Sequence, residues 1–151
     1  MGKEIRIYIW TDANPFREDR CAVRYELQVL RENGPTASKT DGFTTTATQI
    51  GATLEGLVVA LRRVKEDNKI PIVVICKGNV VGVISSGTYL DWKEREWKTR
   101  RGEPPAYVNL WKEISDLFAW RTTKVSAREP CPEDENVINR LSAERKKGKT
   151  A

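Results

Sequence analysis

The chain has 151 residues and carries 26 Lys and Arg against 21 Asp and Glu, a net charge of +5. That length suits one domain with a sizeable core, and a composition 39% hydrophobic and 31% charged excludes wholesale disorder. The chain holds no histidine, which excludes Ser-His and Cys-His nucleophile pairs, HExxH zinc sites and every histidine acid-base role.

Residues 4–11, EIRIYIWT, alternate in the way a strand does. Ile5, Ile7 and Ile9 fall on one face, and Arg6, Tyr8 and Trp10 on the other. Asp12 ends the strand, Ala13-Asn14-Pro15 turns the chain, and residues 17–20 form a charged loop. Cys21 to Arg31 alternates again, Val23, Tyr25, Leu27 and Val29 against Arg24, Glu26 and Gln28, and reads as a second strand. Glu32-Asn33-Gly34-Pro35 is a turn signal. The threonine-rich segment after it suits a third, edge-like strand around Gly42 to Thr46, because β-branched residues favour a pleated surface.

A helix is predicted from about Thr48 to Asp67, with Leu54, Leu57, Val58, Leu61 and Val64 at the 3–4 spacing of one buried stripe. Ile70 to Cys76 is nearly all apolar, as in a strand covered on both faces. Val80 to Ser86 begins another helix, weakened by Gly82. Asp91 to Phe118 holds three of the five tryptophans, Trp92, Trp97 and Trp111, and five cations within nine positions, Lys93, Arg95, Lys98, Arg100 and Arg101. Aromatic faces among cations can stack on sugars or bases while neutralising phosphates; the plainer reading is a solvated helix face with Trp111 in the core. Trp120 to Ser126 reads as a last strand, Arg128 to Glu135 as a loop, and Glu135 to Arg145 as a closing helix with Val137, Ile138 and Leu141 inward. Residues 146–151 are expected as a flexible basic tail on a single domain of residues 1–145.

Cys21, Cys76 and Cys131 show no CxxC spacing and read as free thiols. No apolar run approaches the roughly 18 residues of a membrane span, so a cytoplasmic protein is expected.

The run W-K-x-x-x-W-K-T, a basic turn and V-N-L-W resembles the basic protrusion of type 1 ribonucleases H and the helix after it. The strand ending in Thr11-Asp12 and the P-E-D-E loop before a terminal helix are similar to the same family. The resemblance spans nearly the whole chain. It implies an α/β ribonuclease H-like fold: a mixed five-stranded sheet, three antiparallel strands and then parallel ones, with helices on both faces.

The family hydrolyses the RNA strand of an RNA–DNA hybrid with two divalent metals held by four carboxylates. Carried over by position, the resemblance retains only Asp12. Thr53 stands where the helix Glu belongs, Lys77 where the second Asp belongs, and Asn139 where the last Asp belongs. Binding positions are better kept: Thr48, Gln49, Asn79, Trp92, Trp97, Lys98, Arg100 and Arg101. The resemblance therefore implies a protein that binds RNA–DNA hybrid or other duplex nucleic acid, with hydrolysis lost and no metal or other cofactor expected, Asp12 being the one candidate ligand. Two alternatives stand beside it. One is an active Mg²⁺- or Mn²⁺-dependent nuclease whose site is rebuilt from Asp12 with Glu133, Asp134 or Glu135. The other is an interaction or scaffold module with a protein partner.

Overall fold

The computed structural model describes residues 3–31, 36–64, 70–122 and 124–150. The expected turn at 32–35 and the end of the first long helix near Asp67 lie outside the described residues.

Three strands open the chain: β1 (Glu4–Thr11), β2 (Asp19–Leu30) and β3 (Ala37–Ala47). Helix α1 (Gln49–Arg62) leads into β4 (Ile72–Ile75). Three helices follow, α2 (Asn79–Ser85), α3 (Thr88–Glu94) and α4 (Val108–Arg121), then β5 (Val125–Arg128). A single 3-10 turn at Pro132–Asp134 leads into α5 (Glu135–Thr150). The sheet order is β3-β2-β1-β4-β5. Strands β1 to β3 pair antiparallel, whereas β4 runs parallel to both β1 and β5. The parallel half follows from the helical crossovers, since a strand reached through a helix returns in its original direction.

The larger core lies on one face of the sheet. There Ile5, Ile7, Ile9, Val23, Tyr25, Leu27, Ile72 and Val74 meet the α1 stripe of Leu54, Leu57, Val58, Leu61 and Val64. Gly56 permits the close approach of α1, because a Cβ at that position would stand 2.8 Å from Val23 Cγ1. Trp111, Ile114 and Phe118 extend this core through α4, with the Trp111 and Tyr89 rings stacked at 6.1 Å. The second face is smaller. Tyr8, Ile75, Val137 and Leu141 form its buried cluster, with Trp10, Val73 and Ile138 packed against it.

Two strand boundaries differ from those expected. The third strand extends to Ala37, because pairing with the long β2 runs from Asp19↔Ala47 to Val29↔Ala37. The last strand is not residues 120–126: Trp120 and Arg121 complete α4, and the strand begins at Val125, where it pairs with Ile72. Buried Thr122 sets this junction, its hydroxyl donating 2.7 Å to Ile70 O and accepting 3.2 Å from Lys124 N. On β2, the Glu26 carboxylate is buried, 2% exposed. It accepts from Arg140 of α5 at 2.9 Å on both oxygens, and from Thr40 and Gln28. Helix α5 itself continues through the residues expected as a tail, to Thr150.

Candidate nucleic-acid interface

The candidate site forms where the C-terminal ends of β1 and β4 meet the start of α1 and the face of α5. Ile9, Trp10, Thr11, Gln49, Thr53, Lys77, Pro130 and Ile138 line a pocket of about 170 Å³ there. Three positions singled out from the sequence, Gln49, Thr53 and Lys77, are thus brought together. Thr53 is 2% exposed and donates its hydroxyl 2.8 Å to Gln49 O, one helical turn back. The Thr11 hydroxyl donates 2.8 Å to Ala22 O and accepts from Ala13 N at 3.2 Å. Lys77 is exposed immediately after β4.

Asp12 is exposed, and its Oδ1 accepts 2.8 Å from Ala22 N, continuing the β1–β2 ladder past its last strand pair. Asn139 is exposed on α5 and does not line the pocket. The neighbouring Ile138 does, because the side of α5 that carries Val137 and Leu141 is turned onto the sheet. An apolar side chain therefore faces the pocket from this turn of α5.

A pair of divalent ions does not fit this pocket. Mg²⁺ requires several oxygen ligands, carboxylates foremost. Beside the Trp10 indole, the polar side chains of the lining are one ammonium, one amide and two hydroxyls, with no carboxylate among them. Among the described residues, Cys131, Glu133 and Asp134 form a cluster of possible metal ligands. Its central carboxylate is occupied. Asp134 is fully buried and ion-paired with Arg128, and it accepts 2.9 Å from Cys131 N. Burial opposes its ionisation, yet the Arg128 guanidinium and the Cys131 hydrogen bonds outweigh that and hold the carboxyl below its ordinary range.

Of the expected binding residues, Gln49 lines this pocket, and Asn79 and Trp92 line a second one. Thr48 caps α1, accepting from Gly51 N at 3.3 Å, and shares a short hydrogen bond with the Tyr107 hydroxyl. Tyr107 holds a left-handed φ of 59° at the entrance to α4. Asn79 is the first residue of α2 and is exposed. A second, apolar pocket of about 220 Å³ lies between Asn79, Trp92, Tyr107 and Trp111. Trp92 packs its edge on Trp111 at 5.9 Å, and both Trp92 and Trp97 lie half-buried against the core, so each ring keeps only part of its surface for a ligand. Beyond Trp97, Lys98, Arg100 and Arg101 are exposed. Left-handed Glu96 and Trp97 project this loop from α3, and Thr99 N donates 2.7 Å to Glu103 O across it.

The three cysteines are free. Burial pushes the Cys76 thiol up to about 12, so it stays protonated and inert. No helix among the described residues is long and apolar enough to cross a membrane.

The strand order, the antiparallel-then-parallel pairing and the helices on both faces define a mixed α/β fold. That fold is ribonuclease H-like, as the solved structures it resembles show. LC9-RNase H1, a type 1 RNase H with the type 2 active-site motif, superposes with a TM-score of 0.69 at 15% identity, over 93% of this chain and 71% of that one. The RNase H domain of PFV gives 0.67 at 11% identity, over 93% of each chain. LC11-RNase H1, solved in complex with an RNA/DNA hybrid, gives 0.54 at 14% identity, over 91% of this chain and 92% of that one. The chain matches no protein-family model and no curated protein sequence.

Proposed function

We propose that this chain binds duplex nucleic acid, an RNA–DNA hybrid foremost, without cutting it, in a cytoplasmic setting. The observation that carries the reading is the pocket at the ends of β1 and β4. On a ribonuclease H-like fold, this pocket is lined by Thr53, Lys77 and Ile138 and by no carboxylate. The binding side is supported by exposed Lys98, Arg100 and Arg101 on the projecting loop, and by Thr48, Gln49 and Asn79 near the pocket. A hybrid is recognised through its phosphates, its 2′-hydroxyls and its wide minor groove rather than base by base, and these side chains suit such contacts. Trp92 and Trp97 serve mainly to hold the basic loop. The rebuilt-nuclease reading loses Asp134, whose carboxylate is engaged by Arg128.

The test is a gel-shift titration with a labelled RNA–DNA hybrid beside a cleavage assay in Mg²⁺ and Mn²⁺. The expected result is a shift with no cleavage. Cleavage that disappears in Asp12→Ala would overturn the loss of hydrolysis. Absence of any shift at physiological salt would overturn nucleic-acid binding and favour an interaction module.

A further inference from the structure

We infer that the pocket at the ends of β1 and β4 is an anion site, and that Lys77 receives a backbone phosphate there directly. This rests on the binding reading above and names the group that the pocket takes. The pocket's lining contains one cation, Lys77, and no carboxylate. An ammonium offers up to three donors and accepts nothing. The Gln49 amide lines the same wall and can add a neutral donor. The Thr53 and Thr11 hydroxyls are committed to carbonyls, so they shape the pocket without competing for its occupant.

Ile9, Pro130 and Ile138 complete the wall, but most of the surface that the pocket presents is polar, as an anion site requires. Lys77 is exposed, so its ammonium retains its hydration in the free protein and can be reached by a duplex lying over the pocket. The volume of about 170 Å³ admits one phosphate group and is too small for a nucleotide base with its sugar. In a metal-dependent enzyme the cations between protein and phosphate are exchangeable ions. Here the cation belongs to the chain, so phosphate binding needs no divalent ion.

Two measurements test this. In the first, backbone and side-chain amide resonances are followed while dimethyl phosphate, a minimal phosphodiester, is titrated into the wild-type protein and Lys77→Met. Saturable shifts at Lys77, Gly78 and the Gln49 side chain are expected in the wild type and not in the variant. No shift in the wild type, or equal shifts in both, overturns the inference, whether or not the hybrid binds. Selective broadening of the same resonances by Mn²⁺ in the wild type would also overturn it. In the second, hybrid affinity is measured against salt without divalent ions. Lys77→Met should flatten the log–log slope by about 1, the loss of one phosphate contact, and Lys77→Arg should restore it. If the wild type binds hybrid but the Met variant keeps its slope, the pocket assignment fails and the binding function stands. If the wild type shifts with dimethyl phosphate but binds no hybrid, the binding function fails and the anion site stands.

Discussion

Helix α5 is held to the sheet by a small apolar cluster and by charges at both ends of its contact. Replacing Asp134 with Asn isolates one of them. The carboxylate is fully buried, ion-paired with Arg128 and bonded to Cys131 N. Asn keeps an oxygen for Cys131 N but removes the charge facing the guanidinium. Removing one partner of a fully buried pair costs about 3–5 kcal/mol. The Arg128 side chain is 32% exposed and regains water, so a discounted cost of about 2 kcal/mol is expected. For a domain of this size that is roughly 4–8 °C in Tm.

The pH dependence supplies the sign. The folded-state pKa of Asp134 is depressed, so its contribution is present above the unfolded pKa and is lost as pH falls through the folded one. Urea unfolding of wild type and Asp134→Asn should therefore differ most at neutral pH, and the difference should shrink as pH falls through the depressed folded-state pKa of Asp134. A difference below about 0.5 kcal/mol at neutral pH, or one that persists unchanged into acid, would refute this account of how α5 is held.

The double variant Lys98→Ala/Arg100→Ala should weaken hybrid binding and flatten its salt slope by about 2, one for each phosphate contact; unchanged affinity in a salt titration would remove the projecting loop from the interface. Gly56→Ala should gain about 1 kcal/mol of helix propensity yet lose more to the clash with stiff Val23, giving net destabilisation of about 1 kcal/mol by chemical denaturation; a more stable variant would show that α1 can lift off the sheet cheaply. Burial raises the pKa of Tyr8, Tyr25 and Tyr89 above the ordinary 10.0. Their stability contribution is thus present below that value and lost as pH rises through the folded-state pKa values. Alkaline unfolding should accordingly coincide with the late part of the tyrosinate absorbance rise at 295 nm, and early, unfolding-independent ionisation of all four tyrosines would contradict the burial.

The sequence by itself determined the elements and the polarity of the main core. Alternation in β1 and β2 and the α1 stripe from Leu54 to Val64 are local patterns, set by periods of 2 and 3.6 residues, and the side chains they select are buried in the larger core. It also singled out Gln49, Thr53 and Lys77, which the fold brings together in one pocket. What it left to the tertiary structure was whatever depends on a cover supplied from far along the chain. Alternation puts Tyr8 on the face opposite Ile5, Ile7 and Ile9, and Glu26 opposite Val23, Tyr25 and Leu27, without identifying their cover; the docking of α5 supplies it, with Arg140 reaching Glu26 across 114 residues of sequence. The same docking turns Ile138 rather than Asn139 into the pocket. Thr122, bonded to Ile70 O and Lys124, starts the last strand at Val125 rather than Trp120. A helix's rotation about its axis and a strand's register are fixed by packing against distant partners, which local periodicity does not encode.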